Sequence, residues 1–483
     1  MTDRTAPAAS REALETMVAE ADTGGRKPTG AAKRLIFAIA LAWSLFQLWY
    51  ASPLPYLLNF GVLNDAQARI IHLCFAFLLA FTSFPAFKRS PRAYIPLGDW
   101  VLAGLGLIAA GYLLVSYRDL AQRSGLPTTA DVVISVIGVV LLLEAARRAV
   151  GPALAVIAAI MLVYVFAGPW LPGLLAHRGA SLSRAASQMW LTSEGIFGVA
   201  LGVSTSVVFL FVLFGSLLER AGAGHYFIQL AFSMLGQFRG GPAKAGVVAS
   251  GMTGMISGSS IANTVTTGTF TIPLMKRVGY PAVKAGAIEC AAGVNGQLMP
   301  PVMGAAAFLI AEYVGISYAD VVKHAFIPAF LTYGALFYIV DIEAAKMGMR
   351  GLKRSSTSTF LNSAVLALMT ICGIIILSGA VYWGIGWIKT LFGPAASWIL
   401  AVLLLASYVG LLAYKARHPD LPPDDVTRDM PEVPEFFATA RTGLHYILPV
   451  IVLIWCLMVE EMSPGLSAFW GTAFLIAEYV GIS

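Results

Sequence analysis

The chain has 483 residues, 58% of them hydrophobic and only 12% charged, with a formal net charge of +6 and a mean hydropathy of +0.76. A soluble protein of this size carries about twice that charged fraction, and apolar runs of about 20 residues, enough to cross a bilayer as a helix, recur along the sequence. A water-soluble class is thus excluded. The uninterrupted runs exclude a β-barrel, whose strands alternate, and the basic excess sits in short loops, as in membrane proteins, which argues against nucleic-acid binding.

In chain order, residues 1–32 are polar and of mixed charge, without a small-residue cleavage site before the first apolar run, and read as a disordered cytoplasmic tail. Residues 33–149 hold four simple spans: 33–51, 67–87, 97–117 and 130–147. Residues 150–483 form a longer, glycine-rich region with spans at 150–171, 196–219, 283–315 (interrupted), 322–343, 361–384, 388–413 and 443–460. With a hairpin at 240–280 this gives about 11–12 membrane segments in an all-α polytopic membrane protein. Lys33 and Arg34 precede the first span, Lys88, Arg89 and Arg92 follow the second, and Arg147 and Arg148 follow the fourth. By the positive-inside rule the N-terminus is cytoplasmic, although His177, Arg178 and Arg184 then fall outside. The Pro- and Asp-rich stretch 415–440 reads as a cytoplasmic loop with an interfacial piece near Phe436. Trp43, Trp49, Trp100, Trp170 and Trp190 read as interfacial belt residues.

The segment 240–304 is broken where a membrane helix should be continuous. Its first part, with SGSSIANTVTTG at 257–268, offers one arm of about 16 residues (242–257) and a second of about 12 (264–275), each too short for about 30 Å of hydrocarbon. Lys244 lies at one end and Lys276 and Arg277 at the other, so the segment reads as a re-entrant hairpin opening to the cytoplasm with SGSSIAN at its tip. Ser257, Ser259, Ser260, Asn263, Thr264, Thr266 and Thr267 cluster oxygens there, suited to a hard cation or to a substrate. In GVNGQLMPP at 293–301, Pro300 and Pro301 break the helical ladder. Gly293 and Gly296 loosen the turn before them, which is expected to free the carbonyls of 293–298 beside Asn295 and Gln297. Simple helix packing and a proline kink are the plainer accounts of these two clusters.

Among intramembrane acids Glu289 is the best functional candidate. Glu312 and Asp341 read as span-end residues, and Glu144 with Arg147 and Arg148 as an interfacial charge cluster. Cys74, Cys290, Cys372 and Cys456 form no CxxC pair and read as plain thiols. No zinc spacing, nucleophile–base pair, cofactor fingerprint or Walker A loop is visible, so neither an enzyme nor an ATP-driven pump is indicated.

GMTGMISGSSIANTVTTGTFTIPLMKRVGYP (251–281) and AGAIECAAGVNGQLMPPVMGAAAFLIAEYVGISY (285–318) resemble the large membrane subunit of tripartite ATP-independent periplasmic (TRAP) transporters, in detail the TAXI branch. LLEAARRAVGPAL (142–154) is similar to that branch's fused small membrane subunit. The resemblance covers 35–470. It implies an elevator-type secondary transporter of the bacterial inner membrane, without a cofactor. It also implies Na⁺ or H⁺ drive and an organic anion, such as a carboxylate, delivered by a periplasmic binding protein. It assigns ion binding to Ser259, Ser260, Asn263, Gly293, Asn295, Gly296 and Pro300, in the Pro300–Pro301 turn. Ser257, Thr264, Thr267 and Pro301 are expected to contact the substrate. A binding-protein-independent anion carrier and a non-transporting membrane scaffold are the alternatives. The second, inverted hairpin of such a permease is not seen. AFLIAEYVGIS at 473–483 repeats 307–317 letter for letter, which is expected of a truncated or misassembled sequence, since true transporter repeats drift.

Overall fold

A computed structural model describes residues 25–352 and 433–482, apart from positions 27, 88 and 124, with scattered positions between 387 and 413. The expected spans 361–384 and 388–413, Cys372 and most of the loop 415–440 lie outside the described residues, isolated positions excepted. The described residues are helical, with no strand. Seven helices are long and apolar enough to cross a membrane, so the protein is an all-α polytopic membrane protein. The chain divides into two compact units.

The first unit contains the four expected spans as α1 (Gly30–Ala51), α2 (Asp65–Ser83), α3 (Leu97–Val115) and α4 (Thr129–Ala149). Capping boxes start two of them. The Asn64 side chain accepts the Gln67 N–H at 2.9 Å while Gln67 accepts the Asn64 N–H, and Thr128 and Asp131 do the same at α4, satisfying donors that a helix start leaves free. Arg147 and Arg148 close α4, where positive charge suits the carbonyl end of the helix dipole. The core is aromatic and aliphatic, with Phe77, Phe81, Leu113, Leu141 and Trp190.

Two expectations fail here. Trp190 is fully buried, its indole N–H donating to the Ala109 carbonyl at 3.3 Å. Gly138 makes room for it, because a Cβ there would run into the indole. Trp170, by contrast, is exposed as a belt residue should be. Arg26, inside the segment read as a disordered tail, is also buried. Its guanidinium donates to the Phe81 and Thr82 carbonyls at 3.1 and 3.2 Å and pairs with Asp99. Asp99 also takes Arg148 at 2.7 Å, and Arg148 and Arg147 each take Glu144 at 2.7 Å. The expected interfacial cluster therefore exists and reaches back to Arg26. A hydropathy profile cannot see this, because each member is a lone charge in sequence.

Beyond α4, Gly151 at φ 104° precedes Pro152, which opens α5 (Pro152–Ala167). Alpha5 buries none of its residues, as expected of a lipid-facing helix. Next, α6 (Val199–Ala221) carries one wider turn at Ser204–Val208. The second unit begins within it and continues through α7 (Ala223–Leu235), α8 (Gly241–Ser257), α9 (Ser260–Arg277) and α10 (Ala282–Asn295). The sequence reading missed α7. It is amphipathic, burying Ala223, Phe227, Ala231 and Phe232 while His225 and Gln229 stay partly exposed, so it lacks the uniform apolarity of a span.

After the break come α11 (Ala305–Val314) and α12 (Tyr318–Lys346), then α13 (Phe436–Thr442), α14 (Leu444–Met458) and α15 (Pro464–Ile482). The piece near Phe436 is the short helix α13, bent 64° from α14. Asp341 is a paired group in α12 and not a merely exposed end. It accepts Lys244 at 2.6 Å and also pairs with Arg239, while the Lys244 ammonium lies 5.1 Å from the centre of the Phe337 ring. The repeated letters AFLIAEYV are helical in both copies, but Gly315 at φ 73° stops α11 whereas α15 runs through to Ile482.

Candidate ion and substrate site

All eleven residues singled out for ion or substrate lie in the second unit, on α8–α10 and the irregular segment after them. The hairpin is sharper than its sequence suggests. Alpha8 has 17 residues and α9 has 18, joined through Gly258 and Ser259 alone. Gly258 sits at φ 59°, the left-handed conformation that glycine adopts without steric penalty. A Cβ there would meet the Met303 carbonyl. Ser259 then caps α9, its hydroxyl accepting the Ala262 N–H at 3.3 Å. Helix therefore begins at Ser260, and Ile261, Ala262 and Asn263, expected in an irregular tip, are its first turn. At 1.5 Å per residue α9 is about 27 Å long, so arm length alone does not decide against a crossing. What sets the hairpin apart is its polar interior.

The break also lies further on than expected. Alpha10 stays helical to Asn295, followed by a single tight turn at Gly296–Leu298 and an irregular stretch to Gly304. Four of the carbonyls expected to be free are used there: Gly293 and Val294 share the Gly296 N–H, Gly296 accepts Met299 N–H at 3.2 Å and Gln297 accepts Gly304 N–H at 2.8 Å. Pro300 and Pro301, joined by a cis peptide, are buried. It is Val302 and Met303, not the prolines, that lie against Gly258.

Glycines bring hairpin and break together. A Cβ on Gly254 would come within 2.5 Å of the Gly296 Cα, and one on Gly296 would strike the Asn263 amide. A Cβ on Gly293 would collide with the Thr264 hydroxyl. These contacts put Asn263, Thr264, Gly293 and Gly296 in one seam, and Gln297 reaches the Ser260 hydroxyl at 2.8 Å. Ser259 and Asn295 are half-buried on the two elements. Asn263 is fully buried. Its Nδ2 donates to the Ser250 carbonyl and hydroxyl at 2.9 and 3.1 Å, but its Oδ1 has no partner. A buried acceptor without a donor is costly, and a bound cation would satisfy it.

Behind Asn263 lies Glu289, also fully buried. Its carboxylate accepts the hydroxyls of Thr267 and Thr271. No basic side chain pairs with it among the described residues. Thr267, expected to contact the substrate, thus lies against this acid. Sequence reasoning had no direct signal for Ser250, Thr271 or Tyr333, whose hydroxyl donates to the Ala292 carbonyl at 3.0 Å. A stripe of hydroxyls at 250, 253 and 257, one α8 face at helical spacing, was the available clue. No group of three or more His, Cys, Asp or Glu able to hold a metal occurs among the described residues. The groups facing the seam are amide, hydroxyl and carbonyl oxygens, a donor set suited to hard cations.

Residues 137–404 match the family described as tripartite ATP-independent periplasmic transporter, DctM component. The chain is 26% identical over 275 residues to the C4-dicarboxylate TRAP transporter large permease protein DctM of Rhodobacter capsulatus, covering 54% of this chain and 58% of the relative. The protein of the same name from Pseudomonas aeruginosa is 28% identical over 262 residues, with coverage of 54% and 57%. The 2,3-diketo-L-gulonate TRAP transporter large permease protein YiaN of Escherichia coli is 21% identical over 205 residues, with coverage of 42% and 46%. The chain thus spans a little over half the length of the first two relatives.

Proposed function

The chain belongs to the DctM component family of tripartite ATP-independent periplasmic transporters, and from that premise we propose that it is a permease for ion-driven uptake of organic anions handed over by a periplasmic binding protein. One observation carries the reading: the buried, unpartnered Asn263 Oδ1 at a glycine-lined seam between a helical hairpin and a broken helix. In this reading Na⁺ binds at the seam, with oxygens from Ser259, Ser260, Asn263 and the backbone at Gly293, Asn295 and Gly296, the Gly293 and Gly296 carbonyls through the lone pair their own turn leaves unused, while Pro300 shapes the turn. Discontinuous helices in transporters use such oxygens for cations.

The substrate would be a carboxylate. The relatives' names specify a C4-dicarboxylate and 2,3-diketo-L-gulonate, and both are carboxylate anions. The first turn of α9 offers N–H groups to a negative charge, with Ser257, Thr264 and the turn at Pro301 nearby. Thr267 would serve Glu289 more than the anion. The close contacts at Gly254, Gly293 and Gly296 would make hairpin and α10 move as one body, as an elevator mechanism requires. The 33–149 region would act as a fused small subunit of TAXI type, in the bacterial inner membrane with the N-terminus cytoplasmic.

Uptake of a labelled dicarboxylate into vesicles, with the binding protein outside and an imposed Na⁺ gradient, tests this. Asn263→Ala and Ser259→Ala are expected to abolish uptake at unchanged expression. Persistent uptake in both variants would remove the site assignment. Uptake by the wild type without any binding protein would favour the independent anion carrier, and none under any condition would favour the scaffold.

A further inference from the structure

A second group of oxygens lies where α8 meets α6 and α7, next to the α8 face that carries Ser250. A small cavity is lined by Gly215, Glu219, Gly224, Phe227, Thr253 and Ser257, among others, on α6, α7 and α8 of the second unit. The Thr253 and Ser257 hydroxyl oxygens are buried and have no hydrogen-bond partner, and Thr253 is only 5% exposed. The Glu219 carboxylate accepts the Thr266 hydroxyl and has no basic partner among the described residues. Gly215 allows this closeness, since a Cβ there would lie 2.8 Å from the Ile256 carbonyl and 3.1 Å from the Ser257 Cα. Gly224 likewise keeps α7 close to Thr266, whose methyl would be 3.3 Å from a Cβ.

The chemistry selects the occupant. A carboxylate beside two unsatisfied hydroxyls repels an anion and offers a hard cation three oxygens. The absence of His and Cys from the lining argues against a transition metal, and a single carboxylate suits a monovalent ion. We propose that Glu219, Thr253 and Ser257 form a Na⁺ site of their own beside the Asn263 seam, so that Ser257 serves this ion and not the substrate. Because α8 carries Thr253 and Ser257 on one face and packs Gly254 against Gly296 on another, an ion in this cavity would hold the arm that forms the seam.

Equilibrium binding of ²²Na⁺ to the purified full chain in detergent tests the proposal, with excess K⁺ in the background. Wild type is expected to bind more than one Na⁺ per chain. Glu219→Gln, which keeps the shape and the acceptor for Thr266, should remove one of them and leave the rest. Thr253→Val should weaken that same ion about tenfold, whereas Thr253→Ser should restore it. Asn263→Ala should remove a different one, so that its loss alone, with Glu219→Gln binding as wild type does, would keep the seam and overturn this site. Unchanged stoichiometry in Glu219→Gln and Thr253→Val, the result for a cavity that holds only water, would also overturn it. If Glu219→Gln elutes as aggregate, the Thr253→Val and Thr253→Ser pair decides on the same criterion.

Discussion

The four-helix region and the hairpin region bury their acids in opposite ways. In the first, buried ions meet ions: Asp99 lies between Arg26 and Arg148, and Asp131 takes Arg123 at 3.0 Å. In the second, Glu289 is fully buried and meets only hydroxyls, and Asn263, Thr253 and Ser257 each keep a buried oxygen without a partner, where the first has one such side-chain oxygen among the described residues, Gln47 Oε1. The first pattern serves to hold helices together. The second leaves acceptors open, which is poor for stability and suited to a ligand.

This contrast can be broken by mutation. The largest loss of stability is expected for Asp99→Ala, which leaves the buried Arg26 guanidinium without a carboxylate and Arg148 with Glu144 alone. Removing one partner of such a pair costs about 3–5 kcal/mol, read as a lower midpoint in thermal unfolding of the detergent-solubilised protein. Gly293→Ala comes next. Its Cβ would collide with the Thr264 hydroxyl, an overpacking that costs about 1–3 kcal/mol, and uptake should fall as the seam opens.

Glu289→Gln should cost least in stability, under about 1 kcal/mol. Thr267 and Thr271 also reach the carbonyls of Asn263 and Thr267, at 2.7 and 2.9 Å, so they do not depend on the carboxylate. Uptake should nevertheless fall to background, because the change removes the one buried acid behind Asn263 while keeping its packing. A Glu289→Gln protein as unstable as Asp99→Ala would place Glu289 with the structural ions and end the contrast.

Much of the fold was legible because hydropathy reports spans directly. All four helices of 33–149 and the hairpin with its interrupted successor lie where apolar runs, glycines and prolines put them. What was not legible depended on contacts distant in sequence. Trp190 looks like a belt residue until Gly138 is placed opposite it, and Arg26 looks like tail until Asp99 receives it. Capping misled the reading of the hairpin tip. SIAN has weak helix formers, yet Ser259 and Gly258 start α9 at once. For the site, residue types at the tip and break announced oxygen chemistry, whereas the partners Ser250 and Thr271 emerge only when α8, α9 and α10 are packed.

Amide hydrogen exchange across 293–304, compared in Na⁺ and in K⁺, tests the central claim most directly, because these residues form the break side of the seam. The account predicts slower exchange in Na⁺ for the wild type and no Na⁺ effect in Asn263→Ala. Exchange that ignores Na⁺ in the wild type, or slows equally in the variant, would contradict it.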